Sequence, residues 1–163
     1  CGIVLDRDSL EEIAHLHGQW ETSVYAAYLA ALAEWYDALI GPERNNHGHA
    51  VILRLRQLCP SRLWIGPDRK PGWHTNVATK PVMIDHLADA LMQRQVIIRT
   101  KATIDELQVY QINRDGSTSA PEGYHDDRVM ALAIGLQMAQ RPCVAFGVAA
   151  GGDRPLLQQY HPR

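Results

Sequence analysis

Apolar side chains recur every three to four residues in several stretches of the chain, and this spacing predicts amphipathic helices. The clearest stretch runs from Thr22 to about Asp37, with Thr22 or Ser23 as its N-cap, and its apolar face is expected to pack on a sheet. Asn45 and Asn46 are the expected cap of the next helix, because their side chains can accept bonds from free backbone N–H groups. The helices predicted after the first are His47 to Leu58, one with Pro81 in its first turn that ends near Arg94, and Asp127 to about Gln140.

Short stretches between the helices have the alternating or continuous apolar pattern of β-strands. Gly2–Leu5 and Glu12–Trp20 are expected to form a hairpin, because the turn between them is rich in hydrogen-bonding side chains. Ala38–Glu43 is predicted to be a buried strand that ends on a carboxylate. The other predictions are a strand at Leu63–Gly66, an exposed loop with Pro67, Pro71 and Gly72, a strand at Glu106–Asn113, and a turn at Arg114–Gly116. This order predicts a mixed α/β sheet protein.

The composition is that of one ordinary globular domain. The 163 residues are 46% hydrophobic and 21% charged, which excludes a disordered or coiled-coil chain. We expect residues 1–163 to form one unit, of which 141–163 is an irregular tail. The net charge of −2 neither favours nor excludes nucleic-acid binding, and it leaves only local basic patches such as Arg54, Arg56 and Arg62.

Apolar runs, signal patterns and cysteine spacing indicate the cellular context of the protein. It contains no apolar run of about 20 residues, as a membrane span needs, and no basic and apolar secretory signal. Cys1, Cys59 and Cys143 are far apart and show no C-x-x-C spacing, which favours a reducing cytosol over a disulfide framework. The sequence begins with Cys1 at a predicted strand rather than with Met, so we expect it to be a piece of a longer protein.

Two sets of carboxylates occur where ligands commonly bind in α/β proteins. Glu43 ends a predicted buried strand, and Asp126 and Asp127 open a predicted apolar helix. Because strand ends and helix starts face the same rim of an open sheet, the two sets could converge on a hard cation such as Mg²⁺ or Mn²⁺. Two such ions can hydrolyse a phosphodiester. The alternative is structural: the aspartates cap the helix, and Glu43 is a solvated turn residue.

Other polar residues near these carboxylates also have two interpretations. His125 directly precedes the aspartates and could hydrogen-bond a phosphate or a metal-bound water, or it could be an ordinary loop histidine. Thr75, Thr79 and Lys80 could contact phosphates, or they could form the polar loop before a helix.

The remaining histidines and the aromatic residues are interpreted as structural. No third ligand or cysteine pair completes a zinc site with the pairs His15–His17 and His47–His49. The sequence also has neither a P-loop for ATP nor a nucleophile elbow. The large aromatic side chains expected in the core are Trp35, Tyr36 and Trp64.

Three segments, taken in order, resemble a known family. They are GPERNNHG at residues 41–48, GWHT at 72–75 with TKP at 79–81, and GYHDDRVMALA at 123–133. Together they are similar to the C-terminal nuclease domain of tailed-phage terminase large subunits, over about residues 1–140. The resemblance implies a ribonuclease H-like mixed sheet flanked by helices, and an endonuclease that cuts concatemeric double-stranded DNA during viral packaging with divalent metal.

The resemblance also implies roles for individual residues. Glu43 matches the carboxylate at the end of the fourth strand of that fold, and Asp127, with Asp126 beside it, matches the acidic start of the last helix. These three would be the catalytic residues and the ligands of a two-metal Mg²⁺ or Mn²⁺ site. Lys80 and Thr79 match a segment that we interpret as a DNA backbone contact, to which His125 is added.

One part of the family pattern has no counterpart. The first catalytic Asp of the family lies on a first strand upstream of Gly2–Leu5, and Asp6 is not assigned in its place because it starts a turn. We therefore expect the first strand and an ATPase motor domain to be encoded upstream. The implied partners are double-stranded DNA, that ATPase domain, the portal and the small terminase subunit, and the implied location is the cytoplasm of the bacterial host.

Other functions remain open at this point. A junction resolvase or transposase is an alternative ribonuclease H-like nuclease. A noncatalytic DNA-binding or docking fragment is a second alternative, since one expected carboxylate has no counterpart. A structural α/β domain whose carboxylates are only caps is a third.

Overall fold

A computed structural model describes residues 1–45 and 48–140. In this part the chain is a mixed α/β protein with five α-helices and two small antiparallel sheets of two strands each. A single 3-10 turn follows the second helix, at Pro60–Arg62. The elements are β1 Gly2–Leu5, β2 Glu12–Leu16, α1 Thr22–Trp35, α2 Gly48–Leu58, α3 Thr79–Met92, α4 Lys101–Val109, β3 Gln111–Ile112, β4 Thr118–Ser119 and α5 Asp127–Ala139.

The predicted N-terminal hairpin is confirmed, with β1 antiparallel to β2 and Ile3 opposite His15. Its turn is stabilised by Asp6, whose Oδ1 accepts bonds from the backbone N–H of Ser9 (2.8 Å) and from its hydroxyl (2.7 Å). These bonds lower the pKa of Asp6. The second strand is shorter than predicted: it ends at Leu16 rather than at Trp20.

The predicted strand at Ala38–Glu43 is an extended segment that pairs through isolated bridges instead of a continuous ladder. The N–H of Ile40 donates to the carbonyl of Arg62 (2.7 Å), and the carbonyl of Ile40 accepts from Trp64 (2.9 Å). Further along, the carbonyl of Pro42 accepts from the N–H of Trp73 (2.9 Å). The segment therefore pairs in parallel with two other extended stretches, through the backbone groups of alternate residues, as one edge of a strand would.

Two hydrophobic clusters form the core, and the extended stretch at Leu63 and Trp64 separates them. Successive side chains of an extended chain point to opposite faces. Accordingly, Leu63 packs with α1 and α2, while Trp64 packs with α3 and α5. Helix α1 is predicted to pack on a sheet, but its most extensive contact is with α2. Its buried Ala26 and Ala33 share their cluster with α2 and with the bridged pair Ile40 and Leu63.

The predicted strand at Glu106–Asn113 is wrong for most of its length. Residues up to Val109 belong to α4, and only Gln111–Ile112 is extended. The reason is tertiary: Thr103 and Glu106, three residues apart, are both buried on one face of the helix. The predicted turn is confirmed, with Gly116 at a φ of +83°, which glycine adopts readily.

The core assignments and one loop also need correction. Trp64 is buried as predicted, but Trp35 is 83% exposed and Tyr36 is exposed at the end of α1. The loop with Pro67 is exposed only in its first half, because Pro71 and Gly72 are buried.

The predicted helix caps also differ from the structure. The N-cap of α1 is Glu21, whose carboxylate accepts the N–H of Ser23 (3.0 Å), rather than Thr22 or Ser23 itself. The predicted cap Asn46, the start of its helix at His47, and the tail 141–163 lie outside the described residues. None of the helices in the described part of the chain combines the length and apolar character of a membrane span.

Candidate functional site

Asp126 occupies the N-cap position of α5, but its side chain makes no capping hydrogen bond. The first turn of α5 is bound instead by Glu106 of α4, whose Oε2 accepts the backbone N–H of Arg128 at 2.7 Å. The other oxygen of Glu106 pairs with the Arg128 guanidinium, and both side chains are largely buried. Asp126 therefore does not cap α5 through a hydrogen bond, whereas Asp127 lies in the first turn, where its charge complements the helix dipole.

Asp127 lies at the end of the N-terminal hairpin. Its carboxylate is 3.8 Å from Nε2 of His17, and more than half of its side-chain surface is exposed. The phenol of Tyr25, which is largely buried, is close enough to Asp127 to interact with its charge. Burial raises the pKa of Tyr25 to about 12, and the negative charge of Asp127 adds to the rise. A cleft of about 470 Å³ opens beside this phenol and is lined by Cys1, Gly18, Gln19, Trp20 and Tyr25.

Glu43 ends the extended segment Ala38–Glu43, called the central segment below, where it forms a parallel bridge with Trp73. Its Oε1 accepts a bond from Nδ2 of Asn45 (3.2 Å), and the same amide donates to the carbonyl of Thr75 (2.9 Å). The Nδ2 group of Asn45 thus orients Glu43, and the capping of α2 by the Asn45 oxygen stays a prediction. The chain then turns so tightly that a Cβ on Gly48 would lie 1.7 Å from the Glu43 carbonyl oxygen.

The three predicted carboxylates are only partly brought together. Asp126 and Asp127 share the start of α5, whereas the central segment meets the other end of that helix, since a Cβ on Gly41 would clash with Sδ of Met138. Glu43 lies two residues further along that segment. In the ranges 1–45 and 48–140, however, no three His, Cys, Asp or Glu side chains form a group that could hold a metal ion.

The residues predicted to contact DNA have different surroundings. The Thr79 hydroxyl accepts the N–H of Asn76 (2.9 Å) and donates to the carbonyl of His74 (2.8 Å), so it holds the loop before α3. Lys80 is half-buried in the first turn of α3, and His125 is exposed in the loop before α5. A DNA contact by any of them stays a prediction.

The chemistry of the donors suits a hard divalent cation. Glu43, Asp126 and Asp127 offer carboxylate oxygens, which Mg²⁺ and Mn²⁺ prefer. Asp126 makes no capping bond, Asp127 has the imidazole of His17 at 3.8 Å, and Glu43 accepts a side-chain bond from the neutral amide of Asn45. The donor type therefore suits the metal that the sequence suggests, while the three side chains do not form one group in the described part of the chain.

Two residues that matter for this geometry were not recognised in the sequence. The alternating pattern predicts a strand at Glu106, and the sequence does not indicate the bond from Asn45 to Glu43. Helical spacing around Thr103 and Glu106 could have indicated α4, but the bond to Arg128, 22 residues away, has no sequence signal.

No family model matches the chain, and no curated protein is significantly similar to it in sequence.

Proposed function

We propose that this chain is a divalent-metal-dependent DNA endonuclease of the terminase type, built on a ribonuclease H-like fold. One observation carries the proposal: Glu106 binds the first turn of α5, and Asp126 at the N-cap position makes no capping bond, so its carboxylate is left for another role beside Asp127. A pair of carboxylates at a helix start repels itself, and this costs free energy that a bound cation would offset. The three segments that resemble terminase nucleases include these residues and Glu43.

Glu43, Asp127 and Asp126 would hold Mg²⁺ or Mn²⁺. When bound, such ions activate a water molecule and neutralise the charge that develops on the leaving oxygen. Asn45 holds the Glu43 carboxylate in a fixed direction through its amide. His17, 3.8 Å from Asp127, is placed to orient that carboxylate or to share a proton with it.

The arrangement of elements supports the fold proposal. The central segment ends on Glu43 and both of its bridges are parallel, as in a strand of the mixed sheet that we propose. Helices α1 and α2 form one cluster beside it, and α3 and α5 form the other. In the proposed setting the substrate is concatemeric double-stranded DNA, and the partners are an ATPase domain of the same protein, the portal and the small terminase subunit in the host cytoplasm.

A cleavage assay tests the proposal on the complete gene product, with whatever coding sequence flanks these residues. We expect nicking and linearisation of supercoiled plasmid in Mn²⁺, and none in EDTA. Glu43→Ala and Asp127→Asn should each lower the rate by about a hundredfold or more, because each removes a charge-stabilising ligand.

The matched control is Glu34→Gln, which removes an exposed carboxylate of α1 and should leave the rate unchanged. Duplex binding in EDTA should be unchanged in Glu43→Ala. Cleavage that persists in Glu43→Ala would refute the assignment, and an inactive gene product that still binds duplex would favour the noncatalytic alternative.

A further inference from the structure

A second cleft, of about 490 Å³, lies on another part of the molecule, between the start of α2 and the loop that precedes Trp73. It is open to solvent and its rim is polar. The polar side chains that line it are Arg44, His49, Arg56, Asp68, Lys70 and His74.

Arg44 forms the buried base of this cleft. Its side chain is 9% exposed, and Nη2 pairs with the carboxylate of Asp68. This bond lowers the pKa of Asp68. Nη1 of the same guanidinium is buried and has no hydrogen-bond partner. A buried charged donor without an acceptor is costly, and an anionic ligand would supply the acceptor.

The charge around Arg44 is positive. Among the described residues that line the cleft, Asp68 is the one carboxylate and it pairs with Arg44; Arg56 and Lys70 are two further basic residues at the exposed rim. Arginine presents a planar fork that matches the oxygens of a phosphate, and lysine adds a point charge. Neither Arg44 nor Lys70 was singled out by the sequence, and the chain as a whole is slightly acidic.

We propose that this cleft binds a backbone phosphate of a DNA duplex, with Arg44 at its base and Arg56 and Lys70 at its rim. The inference rests on the proposed function and names a substrate-positioning site for it. Arg44 directly follows Glu43 in an extended segment, where successive side chains point to opposite faces. The cleft therefore holds a phosphate other than the scissile one and fixes the duplex relative to Glu43.

The test compares two charge-matched double variants of the full 163-residue chain. Arg56→Gln with Lys70→Gln removes the rim cations while leaving the buried Arg44–Asp68 pair intact. Arg114→Gln with Lys101→Gln removes the same charges at exposed positions outside the cleft. Affinity for a short DNA duplex is measured by fluorescence anisotropy in EDTA over a range of NaCl concentrations.

We expect the cleft variant to bind about tenfold more weakly, and the magnitude of the slope of log K against log salt to fall by about one, because the neutralisation of one phosphate is lost. The control variant should bind like the unmodified chain. Sodium phosphate at matched ionic strength should displace duplex from the unmodified chain more than from the cleft variant, which ties the effect to a phosphate group.

Equal affinities for the two double variants would overturn the proposal, as would equal displacement by phosphate. Because binding is measured without metal, this outcome is independent of the cleavage assay. Loss of cleavage in Glu43→Ala with no difference between the double variants leaves the nuclease and removes the phosphate cleft. The reverse result leaves the cleft and removes the nuclease.

Discussion

The carboxylate of Glu106 binds Arg128 twice, accepting its backbone N–H at 2.7 Å and pairing with its guanidinium. One side chain of α4 thereby fixes the start of α5 and neutralises the charge next to Asp127. The bond connects two helices that share packing in the larger core cluster, through Leu107 and Val129. It also explains why Asp126, at the N-cap position of α5, makes no capping hydrogen bond.

Glu106→Ala should destabilise the protein by about 2–4 kcal/mol, because it removes an N-terminal cap and leaves a largely buried arginine unpaired. Urea denaturation followed by circular dichroism measures this loss. Asp126→Ala is the matched comparison: it removes the carboxylate at the N-cap position, and we expect a change within about 0.5 kcal/mol. An Asp126→Ala variant as unstable as Glu106→Ala would show that Asp126 is the cap after all.

Two glycine substitutions should have opposite effects on stability. Gly48→Ala places a Cβ against the carbonyl oxygen of Glu43, a backbone atom that cannot move aside, so we expect a loss of at least about 2 kcal/mol. Gly135→Ala lies inside α5, where the added Cβ would contact Leu5 at an ordinary 3.6 Å. It should gain about 0.5–1 kcal/mol from helix propensity. Thermal and urea unfolding of both variants check the two signs, and a neutral Gly48→Ala would contradict the tight turn after Glu43.

Stability should fall at high pH through Tyr25. Its folded-state pKa of about 12 is above the value of about 10 that an unfolded chain has, so the folded state retains the proton longer. The stabilisation is complete below pH about 10 and is lost as the pH rises toward about 12. Spectrophotometric titration near the phenolate absorption band, in parallel with unfolding at each pH, measures both quantities.

Tyr25→Phe should remove the late-titrating phenol, whereas Tyr124→Phe, at an exposed position, should leave it in place. Asp127→Asn should lower the pKa of Tyr25 without returning it to its ordinary value, because burial is the larger cause and the charge of Asp127 is the smaller one. No change in this titration would mean that Asp127 is further from Tyr25 than the structure has it.

Divalent metal should stabilise the folded chain if the carboxylates hold it, since binding to the folded state alone raises the midpoint of unfolding. We expect Mn²⁺ to raise the thermal midpoint of the unmodified protein, and Asp127→Asn or Glu43→Ala to abolish the rise. Asp89→Asn, which alters an exposed carboxylate of α3, is the control and should respond like the unmodified chain. An equal response in all four proteins would assign the effect to nonspecific binding.

The elements that the sequence predicts well are those whose apolar spacing persists over several turns. The helices at Thr22–Trp35, Thr79–Met92 and Asp127–Ala139 each start and end within a few residues of their predicted bounds. The N-terminal hairpin was equally clear, because its turn contains Asp6 and Ser9, which bond to each other locally. Local chemistry is sufficient in these cases.

Prediction failed where a distant contact decides between local alternatives. Glu106 fits an alternating strand pattern as well as a helix, and its burial against Arg128 is what favours α4. Trp35 was expected in the core, but it lies at the end of α1, beyond the face that packs on α2, and is exposed. The Nδ2 group of Asn45 donates to Glu43 and to the carbonyl of Thr75, and no local pattern indicates these two partners.

The candidate carboxylates illustrate the same division. The sequence by itself determined that Glu43 ends an apolar stretch and that Asp126 and Asp127 begin an apolar helix, because both follow from local pattern. Only the tertiary structure decided that Glu106, rather than Asp126, accepts a backbone N–H at the start of α5. It also decided that Arg44 and Asp68 pair at the base of a basic cleft. These are contacts between residues more than 20 positions apart, and which of several possible partners a polar side chain binds depends on packing that no local pattern contains.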